Sequence, residues 1–344
     1  MYDDHQINHQ IEQMTLTEKI GQMFISRTVI NQEKMCSDIA TYHLGGLVLY
    51  DEDLTGENST TLKEKITKFQ LNAKIPLLIG IDQEGGMVSR LTNHPAIIGE
   101  ETFSSPQEIY NEAGINGTVT EAKKVAALLR DLLINWNFAP VADVTPMTSS
   151  YIYKRTLGQD YHVTADYIKK VVPAWQKHVA ATLKHFPGYG SAIDTHQDFA
   201  INNKALIQLE KQDLLPFKAG IVSGVSAIMV SHVLFEKMDS EYPASLSPKI
   251  ITDLLRKKLG FNGVIITDSL DMEAIVKFSL KHPTVPTDMM AILAGADCIM
   301  NNDYESAIPL IKKAVQKKQI TETEIDQHVF RILKLKSTLG VMIL

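Results

Sequence analysis

The sequence predicts an α/β fold, a single-domain (β/α)8 barrel of the TIM type, and three observations carry that prediction. Eight short apolar runs recur along the chain, amphipathic helical stretches separate them, and the polar residues of the runs gather at their C-terminal ends. The runs are GQMFIS (21–26), GGLVLY (45–50), PLLIGID (76–82), NFAPVADV (137–144), VAATLKHF (179–186), AIMVSHV (227–233), GVIITDS (263–269) and ADCIMN (296–301). They are nearly continuous in apolar residues, as strands covered on both faces must be. Alternating strands and helices point to a parallel sheet, and eight such units point to a closed barrel. An open doubly wound sheet is the competing architecture. It lacks a full G-x-G-x-x-G after any strand, and Gly188-Tyr189-Gly190 is only a fragment of that pattern.

The helices are marked by their starts. Thr15-x-x-Glu18 and Thr321-x-x-Glu324 are capping boxes, the second opening a helix to about Leu335. Thr118-x-x-Glu121 predicts another start, with Ala122, Val125, Ala126, Leu129 and Leu133 at helical spacing. Ser247-Pro248 reads as an N-cap followed by proline at the first helical position.

The 344 residues suit one barrel, which takes about 250 residues before insertions. No linker, low-complexity tract or charge block divides them, so residues 1–344 are expected to form one domain. Apolar residues at 44% and charged residues at 22% exclude a disordered chain. A net charge of −6 gives no reason to bind nucleic acid or an anionic membrane. Cys36 and Cys298 sit in no metal-ligand spacing and read as reduced thiols. The polar, acidic start MYDDHQINHQIEQM carries no signal-peptide pattern, and no apolar run reaches the ~20 residues of a membrane span. The chain is expected to be cytoplasmic, soluble and monomeric, without a cofactor or metal.

In a barrel, reactive groups stand at the C-terminal strand ends. Here those ends carry Asp82, Asp143, the pair Lys184 and His185, the pair Ser231 and His232, Asp268, and the pair Asn301 and Asn302. Each alone reads as a loop or cap residue. Together they mark one mouth that sets Asp82 and Asp268 against Lys184 and His185. Gly85-Gly86 and Gly188 would let backbone approach a ligand there. A carboxylate at a strand end can act as a nucleophile in glycoside hydrolysis. No G-x-S-x-G elbow is present. After the fifth run, a Pro/Gly-rich loop brings Asp194 and His196 two residues apart. An aspartate can orient a histidine and stabilise its protonated form, which makes an acid/base pair. A surface Asp-x-His without a task is the alternative.

Several segments, in order, resemble family 3 glycoside hydrolases, in particular the single-domain bacterial β-N-acetylglucosaminidases. They are MTLTEKIGQMF (14–24), GIDQEGGMVSRL (80–91), NFAPVADV, RTLGQD (155–160), KHFPGYG (184–190), DTH (194–196) and ITDSLDM (266–272). The resemblance implies a retaining enzyme with Asp268 as nucleophile, His196 as acid/base and Asp194 as its partner. It implies that Asp82, Arg90, Arg155, Lys184 and His185 bind N-acetylglucosamine. It also implies action on small carbohydrates, peptidoglycan (muropeptide) fragments in cell-wall recycling. The chain departs from the family pattern at Tyr189, where His is common, at Met87, where a basic residue is common, and at Leu157, where Phe is common. The stretch between KHFPG and DTH is also shorter than usual, while the nucleophile segment is intact.

Three competing readings keep the barrel. A phosphorylase would use phosphate in place of water, favoured if Lys184, Arg155 and Arg90 face the pocket. A metal-dependent hydrolase would recruit His185, His196, His232 and Asp268, although these lack ligand spacing. A non-catalytic sugar-binding barrel would keep the sugar contacts but has no need of Asp268, Asp194 and His196.

Overall fold

A computed structural model of the protein describes residues 2–29, 31–190 and 200–341. Its eight parallel strands are β1 (Phe24–Arg27), β2 (Gly46–Leu49), β3 (Leu78–Ile81), β4 (Trp136–Asn137), β5 (Ala180–Phe186), β6 (Ala227–Val230), β7 (Val264–Thr267) and β8 (Ile299–Met300). They follow one another in the order β8-β1-β2-β3-β4-β5-β6-β7. A bridge between Ile266 and Cys298 closes the ring, with Thr267 N donating to Cys298 O at 3.1 Å and Leu270 N to Met300 O at 2.9 Å. The architecture is the predicted (β/α)8 barrel. Strands β2, β3, β5, β6 and β7 are buried at every residue, which explains why their sequences show no polar alternation.

The barrel packs by trading backbone for ring volume. A Cβ added at Gly80 on β3 would meet Phe138 Cζ at 2.6 Å. Phe138 in turn packs edge-on to Trp136, ring centroids 5.2 Å apart. The Trp136 indole N–H donates to Thr182 Oγ1 on β5 at 2.6 Å, so a fully buried ring leaves no donor unpaired.

Elsewhere the boundaries move for local reasons. The first two residues of GQMFIS finish the helix Leu16–Gln22, which Thr15 and Glu18 cap as expected. In NFAPVADV the strand proper ends at Asn137, because Pro140 has no N–H for the ladder. The chain nevertheless stays beside β5, with Ala142 N donating to Lys184 O at 2.8 Å. Thr118 is not a helix start. A first helix begins at Pro106 under a Ser105–Glu108 capping box, Gly114 breaks it with φ 60° and ψ −161°, and a second helix follows and runs to Asp131. Thr118 lies in the opening turn of the second helix and donates its hydroxyl back to Ile115 O at 2.7 Å. Ala122, Val125, Ala126 and Leu129 are buried as their spacing predicts, but Leu133 lies beyond the helix end, half-exposed with φ 64°. Ser247 Oγ accepts from Ile250 N at 3.3 Å and starts the helix Lys249–Lys258. The last capping box opens Glu322–Thr338, three residues past the predicted end. Both cysteines are buried and unpaired. Among the described residues no helix is long and apolar enough to cross a membrane.

The end of the barrel opposite the strand C-termini is closed by buried charge. Asp297, before β8, accepts from Arg256 at 2.6 Å, Ile265 N at 2.8 Å, His328 at 2.8 Å and Arg331 at 2.9 Å. Burial alone would raise its carboxyl, but those cations outweigh it and hold it below the usual range. Lys336 is less well served. It is fully buried on the C-terminal helix, and its Nζ donates to Gln22 Oε1 at 2.6 Å. Burial pushes its ammonium down to about 7.

The lysine therefore costs stability wherever the unfolded chain holds a proton that the folded chain resists. That cost is complete below about pH 7, and it fades as the pH rises toward the ordinary lysine range. Lys336→Met is expected to be more stable than the parent at neutral pH, with a gap that narrows steadily toward pH ~10. Urea midpoints of both proteins across that range test this, and parallel curves would show that the lysine is not depressed.

Candidate active site

Every strand delivers its last residues to one mouth. Asp82 follows β3, Asp143 lies beyond β4, Lys184 and His185 end β5, and Ser231 and His232 follow β6. Asp268 follows β7, and Asn301 and Asn302 follow β8. Tyr50 directly follows β2 and Arg27 ends β1.

Five sequence-predicted binding residues fall into linked clusters. Lys184, fully buried, reaches Asp82 Oδ1 at 2.7 Å and Glu84 Oε1 at 2.5 Å. Arg155 grips Glu84 with both arms of its fork, Nε to Oε2 at 3.0 Å and Nη2 to Oε1 at 2.7 Å. The same Nη2 lies 3.4 Å from His185 Nε2. Arg90 stands 3.7 Å from Asp82 Oδ2 and 3.1 Å from Asp51 Oδ2. Burial disfavours charge on Asp82 and Glu84, yet Lys184 and the arginines outweigh it and keep both carboxyls below the usual range. Burial likewise works against the Lys184 ammonium, and the two carboxylates overcome it.

Asp143 was placed at a strand end by sequence but given no task. It is buried, and its carboxylate accepts three N–H groups. These are His185 Nδ1 at 2.7 Å, His185 N at 3.0 Å and Tyr189 N at 2.6 Å. Glu84 was passed over because it sits between Asp82 and a Gly-Gly turn, where a carboxylate reads as loop. In the structure it lies on a short hairpin of Gln83–Gly85 and Val88–Ser89 that folds over the end of β3. Gly85 admits a neighbouring loop at close range. Its φ is 92°, and an added Cβ would meet Ser104 O at 2.3 Å.

On the other side of the mouth, Asp268 is half-buried. Its N–H donates to Val230 O at 3.0 Å and its Oδ1 accepts from Ser269 N at 2.8 Å. His232 steadies the same turn. Its Nε2–H donates to Ser269 O at 2.8 Å, so its Nδ1 accepts from the Ser245 hydroxyl at 2.7 Å. Burial lowers its basicity, against the pull of the Asp268 charge. Tyr50 stands near both carboxylates. Burial first, then the charges of Asp82 and Asp268, push its hydroxyl up to about 12. Arg27 lies 4.1 Å over its ring. Sequence reading missed Tyr50, which ended an apolar run and carried no pattern. Asp194 and His196 lie outside the described residues.

This geometry weighs on the competing readings. His232 commits its Nε2–H to Ser269 O and its Nδ1 lone pair to the Ser245 hydroxyl, which weighs against it as a member of the proposed His/Asp ligand set. Lys184, Arg155 and Arg90 face Asp82, Glu84 and Asp51, so the cations are matched by carboxylates and form no open anion cradle.

Comparison with known proteins agrees with the geometry. Residues 15–335 match the glycosyl hydrolase family 3 N terminal domain. A beta-hexosaminidase of Stenotrophomonas maltophilia (strain K279a) is 35% identical over 266 residues, covering 75% of this chain and 76% of that protein. A beta-hexosaminidase of Nitrosomonas eutropha is 31% identical over 296 residues, 83% of this chain and 82% of that protein. Among solved structures, a family 3 β-N-acetylglucosaminidase from Paenibacillus sp. str. FPU-7 superposes with a TM-score of 0.87 at 32% identity over 95% of this chain. The chain spans 63% of that longer protein. The β-N-acetylhexosaminidase of Beutenbergia cavernae shares the fold at a TM-score of 0.78 and 24% identity, covering 94% of this chain and 99% of that one. The chain belongs to glycosyl hydrolase family 3.

Proposed function

We propose that the protein is a retaining β-N-acetylglucosaminidase that removes terminal N-acetylglucosamine from small β-linked glycosides, peptidoglycan fragments among them. The observation that carries this reading is the mouth itself. A charge-matched clamp of Asp82, Arg90, Glu84, Arg155 and Lys184 shares one barrel end with the half-buried Asp268. The clamp offers fixed donors and acceptors for sugar hydroxyls, and Asp268 offers an oxygen for the anomeric carbon. In the first step Asp268 forms an ester to that carbon while His196, tuned by Asp194, protonates the departing oxygen. In the second, His196 takes a proton from water as water displaces Asp268. The paired cations favour water over phosphate as acceptor. The reading takes residues 1–344 as one monomeric barrel in the cytoplasm, with no cofactor, nucleic-acid or membrane partner. The names of the curated relatives and of the Paenibacillus structure support the choice of sugar. Turnover of aryl β-N-acetylglucosaminide, β-glucoside and β-xyloside tests it. A preference for either of the latter two would overturn the proposed sugar.

Asp268→Ala is expected to lose nearly all turnover and to form no adduct with a 2-fluoro glycosyl donor. Peptide mapping of the trapped parent enzyme checks the assignment, and a label outside the ITDSLDM peptide would refute it. A first product of inverted configuration would refute the retaining mechanism.

His196→Ala is expected to harm substrates with poor leaving groups far more than activated aryl glycosides, since general acid help is worth about 10²–10⁴-fold. Asp194→Ala should follow the same pattern more weakly. Equal losses on both substrate types would leave His196 no role as acid.

A further inference from the structure

We infer that Asp143 is a positioning residue for sugar binding: it fixes His185 as the Nδ1–H tautomer and so makes Nε2 a hydrogen-bond acceptor at the pocket wall. The inference rests on reading this mouth as a sugar pocket. A carboxylate has no proton to give, so the 2.7 Å contact requires His185 Nδ1 to be the donor. A neutral imidazole then carries its lone pair on Nε2. That nitrogen faces the Arg155 guanidinium at 3.4 Å, which can only donate. Asp143 and Arg155 therefore select the same tautomer from opposite edges of the ring. The amide of His185 also donates to the carboxylate, at 3.0 Å, so the backbone beneath the ring is tied to the same oxygen.

An acceptor at this place has a chemical use. Lys184, Arg90 and Arg155 are donors only, and Asp82 and Glu84 already accept from them. A sugar hydroxyl both accepts and donates. It can take a hydrogen bond from a cation, but it also needs an acceptor for its own proton. Nε2 of His185 holds only the long 3.4 Å contact from Arg155, and a sugar hydroxyl can displace that contact because Arg155 keeps both arms of its fork on Glu84. The other tautomer would set an N–H against the guanidinium and remove the acceptor at this place.

Asp143→Asn is the informative change, because an amide keeps the shape but has one accepting oxygen. If that oxygen serves Tyr189 N, the NH2 faces His185 and drives the ring proton to Nε2. If it serves His185, Tyr189 N loses its acceptor. The tautomer is read by 15N NMR of histidine-labelled protein, with His185→Gln to assign the ring. The parent is expected to show an unprotonated Nε2 at neutral pH. The variant is expected to raise KM for aryl β-N-acetylglucosaminide by about 2- to 10-fold, the scale of a hydrogen bond between neutral groups, with a much smaller fall in kcat. A merely structural role would lower the folded fraction and kcat while leaving KM unchanged, and that result would overturn the inference. So would a proton on Nε2 in the parent. If the variant does not fold, the parent spectrum alone decides. If the parent binds and cleaves no aryl β-N-acetylglucosaminide, the activity reading fails separately, and the tautomer is still measured.

Discussion

The rest of the mouth depends on one buried cation. Lys184 brings an ammonium into the barrel interior, where an unpaired charge is costly. Asp82 and Glu84 come from the end of β3 and its hairpin to meet it, and Arg155 arrives from the loop beyond β4 to balance Glu84. The hairpin, the loop carrying Arg155 and the end of β5 are therefore held to one another by charge. Removing one member of a buried pair commonly costs about 3–5 kcal/mol, because the survivor stays buried and unpaired. The arrangement is worth more for its fixed geometry than for net stability. Its donors and acceptors are in place before any ligand arrives, and rigid groups of that kind do not have to be ordered on binding.

Much of this was legible because burial writes itself into composition. A strand covered on both faces has to be apolar throughout, and a polar residue at its end then stands out. That contrast located Asp82, Lys184, His185, His232 and Asp268 without any coordinates. It failed where the chemistry did not interrupt an apolar run. Glu84 lies in a polar turn, and its neighbours give no sign that the hairpin folds inward. Tyr50 is as apolar as it is polar, so it closed its strand unnoticed. Asp143 was noticed, but its task depends on three donors that lie more than forty residues away along the chain.

The helix errors have a related origin. Thr118-x-x-Glu121 satisfies the capping pattern, yet Ser105-Pro106 satisfies it better, with proline already at the first helical position. Gly114, at φ 60° and ψ −161°, then ends the first helix and a second starts directly after it, so Thr118 lies in the opening turn of that second helix and its hydroxyl bonds backward to Ile115 O. Leu133 continued the apolar spacing, but the helix stops at Asp131 and the chain turns toward β4. Periodicity reports which face would be buried if the helix continued, and it does not report where the helix stops.

The two ends of the barrel use the same device for different purposes. At the closed end Asp297 accepts from Arg256, His328, Arg331 and a backbone amide, and its carboxylate is fully buried. Its contacts tie β7 and the segment before β8 to two helices, leaving no face for a ligand. At the mouth the carboxylates are equally well paired, but one of them is only partly covered, the Asp82 side chain being 18% exposed where that of Asp297 is fully buried. A histidine beside an aspartate is found at both ends, so the pair alone does not mark a site. What separates them is not the exposure of the histidine, since the His185 side chain is 7% and that of His328 10% exposed. His328 and Asp297 join secondary structure elements before the strands begin, whereas His185 stands at the strand C-termini with Arg155 and Lys184. Sequence spacing cannot draw that distinction, because it depends on the end of the barrel to which the fold brings each pair.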